Sequence, residues 1–217
     1  LADVRPKKGA LMTNNIRKKP PASKKDRALK RVRRLRTQLP KIALPILIIE
    51  EMLRGKRPLS ALPPDINAAA TAGLILILAG MGIRIWARGH FVKGLIFQTG
   101  PYAIVRHPLY VGSFLMLIGF LLILNMWLLW VVLLPFYVVF YTLTVISEES
   151  GLKRRIGKDW EEYRRSVPAL IPMPWKIKAE NIPGWSKEVF SKTPELQTIV
   201  STVILLVLIE FGGRFLF

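Results

Sequence analysis

The segment Gly100-Pro-Tyr-Ala-Ile-Val-Arg-His-Pro-Leu-Tyr-Val-Gly112 gathers a guanidinium, an imidazole and a phenol, Arg106, His107 and Tyr110, immediately before a long apolar run. Glu148 and Glu149 stand at the far end of a second apolar run. Ionisable groups at a bilayer boundary are costly to desolvate, so such clusters mark a binding or catalytic site by default. Pro108 suits the first turn of a helix, where its missing N–H is harmless. Arg106 and His107 then project from a helix N-terminus, which favours an anion such as a carboxylate or phosphate. Glu148 and Glu149, read as a helix C-terminus, are electrostatically unfavourable there and call for a cation beside them. In one reading Arg106 or Lys153 supplies it as a plain boundary salt bridge. In the other, a ligand carrying both a carboxylate and a positive charge sits between the two clusters. S-adenosylmethionine, with its carboxylate, amino group, sulfonium and ribose hydroxyls, has that character.

For the clusters to meet, the apolar runs between them must fold as a hairpin. Five apolar segments can be drawn: Pro40 to Leu53, Ile66 to Ala87, Leu109 to Leu124, Met126 to Ile146 and Leu196 to Phe217. A hydrocarbon core of about 30 Å needs about 20 helical residues, so the second, fourth and fifth are sufficient spans. The third is short, and the first carries Pro45, Glu50 and Glu51. Asn125 joins the third to the fourth, and two crossings return His107 and Glu148 to one face. The expected fold is all-α, a multi-pass transmembrane protein of about five helices with a cytoplasmic-face cofactor pocket. Residues 1–40 form a basic arm, 41–174 the membrane core, and 175–217 a linker with a C-terminal transmembrane helix.

Composition narrows the chemistry. Of 217 residues 51% are hydrophobic, yet 33 Lys and Arg oppose 14 Asp and Glu, which suits a membrane protein with basic flanks. With no cysteine and only His90 and His107 as histidines, thiolate catalysis is excluded and no metal centre is expected. Fifteen of the Lys and Arg residues precede Ala43, reading as a disordered cytoplasmic arm that touches anionic lipid. It lacks the interleaved aromatics of a nucleic-acid binder and the pattern of a secretory signal. Basic loops elsewhere, against the uncharged Asn125 turn, put the two clusters on the cytoplasmic side. Arg54, Lys56 and Arg57 oppose this if the first segment spans. Gly151 to Pro174 reads as an amphipathic helix broken by prolines, with Trp160 and Tyr163 at headgroup level, acting either as an anchor or as a flap over the site.

The ordered set Gly-Pro-Tyr-x-x-x-Arg-His-Pro-x-Tyr-x-Gly, Glu148-Glu149-x-x-Leu152 and Gly157-x-x-Trp160-x-x-Tyr163-x-x-x-Val167-Pro168 resembles the isoprenylcysteine carboxyl methyltransferase family, which extends to phospholipid methyltransferases. The match runs from about Ile66 to Pro174. The resemblance implies an integral membrane enzyme that moves a methyl group from S-adenosylmethionine to a membrane-embedded amphipathic acceptor: a prenylcysteine-like carboxylate, a phospholipid headgroup or another lipid. Carried onto matching positions, it implies cofactor contacts from Tyr102, His107, Pro108, Tyr110 and Glu148. Leu95, Ile96 and Phe97 match only in apolar character. Glu149 and His107 are the candidate bases for an amine or hydroxyl acceptor, and Arg106 completes the reacting cluster. Thr144 stands where the eukaryotic enzymes carry a substrate-contacting arginine, which weakens the prenylcysteine acceptor. Competing readings are an NADPH-dependent sterol-reductase-like enzyme, against which Pro108, Ser113 and chain length argue, and a non-catalytic membrane scaffold. Oligomeric state is not legible.

Overall fold

In the computed structural model, which describes residues 43, 45–63, 65–90, 100–176 and 184–215, every regular element is helical. Helix α1 comprises residues 45–53, α2 Ala68–Gly89, α3 Pro108–Leu124, α4 Trp127–Ile156, α5 Lys158–Ser166, α6 Lys187–Ser191 and α7 Glu195–Phe215. Single 3-10 turns occur at Gly100–Ala103 and Pro174–Lys176. The basic arm 1–40 and the candidate pocket residues Leu95, Ile96 and Phe97 lie outside the described residues. Helices α2, α4 and α7 are long and apolar enough to cross a membrane, as their sequences require, and α3 is the shorter apolar helix of 17 residues. The chain is a multi-pass helical membrane protein.

Asn67 starts α2 by accepting hydrogen bonds from Ala69 N at 2.9 Å and Ala70 N at 3.4 Å, which satisfies amides that the helix cannot. Along α2, Gly73 and Gly80 face Gly119 and Gly112 of α3, two antiparallel pairs each seven residues apart. A Cβ on Gly80 would lie 2.5 Å from the Gly112 carbonyl oxygen, so only a bare backbone fits. In lipid there is no hydrophobic drive to join two apolar helices, and such close contact supplies the dispersion that does. Asn125, in the left-handed region at φ 52° and ψ 34°, ends α3 with its N–H on the Leu121 carbonyl and turns the chain into α4. At this end of the molecule α1 packs Leu47, Ile48 and Met52 against Leu121, Leu124, Met126 and Leu129. Leu59 N–H bonds to the Ile123 carbonyl at 2.7 Å, and the Ser60 hydroxyl to Glu210 of α7 at 2.5 Å. Arg54, Lys56 and Arg57 are therefore exposed at the end remote from His107.

Two expectations are corrected. Glu148 and Glu149 are not at a helix C-terminus, because α4 continues to Ile156. The apolar pattern stops at Ile146, but Glu, Leu, Lys and Arg sustain a helix in water until Gly157, whose φ of 72° breaks it. The stretch from Gly151 is accordingly split between the end of α4 and the separate α5. Trp160 and Tyr163 do not lie at headgroup level: each is 3% exposed, in a small core with Val167 against Leu152 and Ile156. The apolar face of α5 covers the molecule's own surface, and its basic residues Arg164 and Arg165 remain outside.

Candidate active site at the mouth of the hairpin

His107 is the N-cap of α3, with Pro108 in the first turn. The return of α4 brings both glutamates to it, as the two-crossing argument requires. The Tyr110 hydroxyl donates to Glu148 Oε1 at 2.7 Å. His107 Nε2 lies 3.2 Å and Arg106 Nη2 3.3 Å from Glu149 Oε1, and Arg164 Nε of α5 lies 3.5 Å from Glu149 Oε2. The boundary salt bridge thus describes Glu149, and Lys153 pairs instead with Glu161 at 2.8 Å. Glu148 is half-buried, and among the described residues no cation pairs with it.

The turn that carries Tyr102 and Arg106 is clamped from the other side by the chain following α5. Tyr163 donates its hydroxyl to the Tyr102 carbonyl at 2.8 Å. Arg106 N–H bonds to the Pro168 carbonyl at 2.8 Å, His107 N–H to Ala169 at 3.1 Å, and Met173 N–H to Ile104 at 3.1 Å. These bonds fasten the segment after α5 to the loop that carries the site residues. The Arg106 guanidinium lies 5.9 Å from the Trp160 ring centroid, within range of a cation–π attraction. Beneath the charged groups an aromatic layer joins α3 to α4. The Tyr110 ring stacks on His107 and meets Tyr141 edge-on, and the Tyr137 hydroxyl donates to the Tyr110 carbonyl at 2.6 Å. Thr144, at 7% exposure, turns its hydroxyl to the Phe140 carbonyl and offers the cleft no charge.

Several polar atoms here are buried and unspent. Tyr102 Oη and Arg106 Nε and Nη1 have no hydrogen-bond partner among the described residues. Burial pushes the Tyr102 phenol upward in pKa, with Arg88 opposing and Glu148 reinforcing the shift. Burial pulls Arg106 down against the pull of Glu149. Burial likewise holds His107 below its ordinary 6.5, despite its hydrogen bond to Glu149. The imidazole is therefore neutral at pH 7, and facing a carboxylate it donates from Nε2. Buried polar groups without partners are rare and expensive. A half-buried carboxylate lacking a cation, next to donors lacking an acceptor, fits a ligand bearing both charges.

A second buried ionic centre lies near the first and was not found by sequence reasoning. Glu195, the first residue of α7, receives Arg84 Nε at 2.6 Å, Arg84 Nη2 at 3.0 Å and Arg88 Nε at 3.0 Å. Arg84 also reaches the Ser113 hydroxyl at 2.5 Å and the Leu109 carbonyl at 3.4 Å, so that α2, α3 and α7 meet at one point. The available signal was a pair of arginines one turn apart at the end of an apolar helix, together with an acid heading the last one. Charges so placed need partners.

Residues 75–159 match the phospholipid methyltransferase family. A protein-S-isoprenylcysteine O-methyltransferase of Schizosaccharomyces pombe is 37% identical over 82 residues, which cover 36% of this chain and 34% of that protein. The nickel-cobalt-cadmium resistance protein NccN of Alcaligenes xylosoxydans xylosoxydans is 28% identical over 109 residues, covering 48% of this chain and 50% of that protein. The chain thus spans half or less of the length of these curated relatives. No solved structure matches. The matched segment holds the Tyr102 turn, the whole of α3 and both glutamates of α4, and over that segment the chain is similar to the phospholipid methyltransferase family.

Proposed function

We propose that the chain transfers a methyl group from S-adenosylmethionine to an amphipathic acceptor embedded in the membrane. The observation that carries this reading is the contrast between adjacent glutamates: among the described residues Glu149 is neutralised by Arg106 and Arg164, while Glu148 accepts from Tyr110 and pairs with no cation. Glu148 is then the group that meets the ligand's positive or hydroxyl-bearing part. Tyr102 Oη, Arg106 Nε and Nη1 and the N-terminus of α3 are the donors for its carboxylate. Bound S-adenosylmethionine supplies an electrophilic methyl carbon on a sulfonium, and transfer to a nucleophile is an in-line displacement. The protein's task is positioning and exclusion of water. The aromatic layer of Tyr110, Tyr137 and Tyr141 supplies an apolar floor, and the irregular segment after α5 closes the outer side.

A carboxylate acceptor needs no base. For an amine or hydroxyl acceptor the neutral imidazole of His107 is the candidate, since Glu149 is held by its cations. The similarity to a protein-S-isoprenylcysteine O-methyltransferase supports a lipid or lipidated acceptor. Arg154, Arg155, Lys158, Arg164 and Arg165 on the site face outweigh Arg54, Lys56 and Arg57 on the other, which supports a cytoplasmic site. Calorimetric titration of the chain in nanodiscs with S-adenosylhomocysteine tests the reading. Saturable binding is expected, weakened about tenfold or more in Glu148→Gln, with no binding of NADPH. Failure of the unmodified chain to bind, or binding of NADPH instead, sinks it.

A further inference from the structure

The Arg84–Glu195–Arg88 centre contains one carboxylate against two guanidiniums. Arg84 is spent on Glu195, Ser113 and Leu109. Arg88 is engaged through Nε alone, and its two terminal nitrogens bond to nothing among the described residues. Its side chain is only 22% exposed, and the carboxylate it meets only 2%. The terminal nitrogens are thus open to an incoming anion, which the surplus positive charge of a largely buried centre favours.

Arg88 also stands at the cleft. The last turn of α2 abuts the Gly100–Ala103 turn, where a Cβ on Gly100 would come within 2.7 Å of the His90 ring. That turn carries Tyr102, whose buried hydroxyl has no partner among the described residues and lies in the electrostatic field of both Arg88 and Glu148. The guanidinium fork is suited to this position. With Nε held by Glu195, the plane is set and the paired Nη groups remain for a carboxylate or phosphate. Arg106 is tied to Glu149.

We propose that Arg88, oriented by Glu195, is the subsite for an anionic group, phosphate or carboxylate, on the head of the methyl acceptor. The assignment rests on the methyl-transfer reading of the cleft. It gives α7, which lies beyond the family-matched segment, a part in acceptor selection.

The test uses the full chain in phosphatidylcholine nanodiscs, titrated with dihexanoyl phosphatidic acid below its micelle-forming concentration and, separately, with S-adenosylhomocysteine. The unmodified chain is expected to bind phosphatidic acid saturably. Arg88→Gln should weaken that binding about tenfold or more while S-adenosylhomocysteine affinity stays within about twofold. Arg88→Lys should recover part of the loss, and Arg54→Gln, a charge removed from the remote end, should change neither ligand. Glu195 keeps Arg84 in the Arg88 variants, so the helices stay joined. Unchanged phosphatidic acid binding in Arg88→Gln overturns the proposal. So does loss of S-adenosylhomocysteine instead, which would assign Arg88 to the donor's carboxylate. If no form binds S-adenosylhomocysteine, the methyl-transfer reading itself has failed, and the acceptor assignment falls with it. A failure of Arg88 alone leaves that donor titration intact.

Discussion

Glu149 and Glu195 are each gripped by two arginines, yet the two centres differ in tightness. Around Glu195 the contacts run from 2.6 to 3.0 Å, and both arginines come from one helix a turn apart. Around Glu149 the arginine contacts are 3.3 and 3.5 Å, one arginine comes from a turn and the other from α5, and Arg164 is 58% exposed. Among the described residues the first centre joins three helices with every Arg84 nitrogen spent, and leaves over the two terminal nitrogens of Arg88. Among the described residues the second leaves Arg106 with two buried nitrogens unspent, beside Glu148, which accepts from Tyr110 and pairs with no cation. Similar residue types thus give, in one place, a tight clasp with a single open guanidinium fork and, in the other, a looser cluster with unspent groups of both signs. Geometry decides, because a charge fully paired inside the protein has nothing left to offer a ligand.

The contrast is broken most severely by Glu195→Ala, which strands Arg84 and Arg88. A loss of about 3–5 kcal/mol is expected, seen as a lowered unfolding midpoint in detergent. Glu149→Ala should cost less, about 1–3 kcal/mol, because Arg164 can return to water. Equal midpoints for the two variants would mean that the clasp and the site are not distinct. A third effect is smaller and depends on pH. Folding lowers the pKa of His107, so as the pH falls the unfolded chain takes up the proton first. The stability this contributes is complete above the ordinary 6.5 and is lost as the pH falls through the lower folded value. Between about pH 8 and about pH 5 the unfolding midpoint of the native chain should therefore drop more steeply than that of His107→Asn. Parallel curves would mean that His107 is not buried as a neutral ring. Lys153→Ala sets the lower bound. Its pair with Glu161 is exposed on both sides, and no measurable change in midpoint or donor binding is expected.

Much of the arrangement was legible along the chain. Asn125 between two apolar runs announces a hairpin, and a hairpin obliges His107 and Glu149 to share a face. Pro108 announces the start of α3. Other features could not be read because the signal is not local. Glu148 and Glu149 are neighbours in sequence, but successive helical residues point about 100° apart, so one meets Arg106 and the other Tyr110. Trp160 and Tyr163 have the composition of headgroup anchors, and only the docking of α5 against the Tyr102 turn buries them. Helix α4 outlasts its apolar run, continuing from Ile146 to Ile156, because helicity does not require hydrophobicity. The apolar pattern tells where lipid ends, whereas Gly157 tells where the helix does.

By itself the sequence determined which stretches cross the membrane, since length and apolarity alone satisfy backbone and lipid together. It also determined that the polar motif and the glutamate pair share one end, by the parity of two crossings. Only the tertiary structure decided which glutamate is neutralised and which is open, and that Arg84 and Arg88 find their counter-charge on Glu195 rather than nearby. Those outcomes depend on helix rotation and on contacts more than a hundred residues apart. Crossing a membrane is a property of each segment, whereas pairing a charge is a property of what packs beside it.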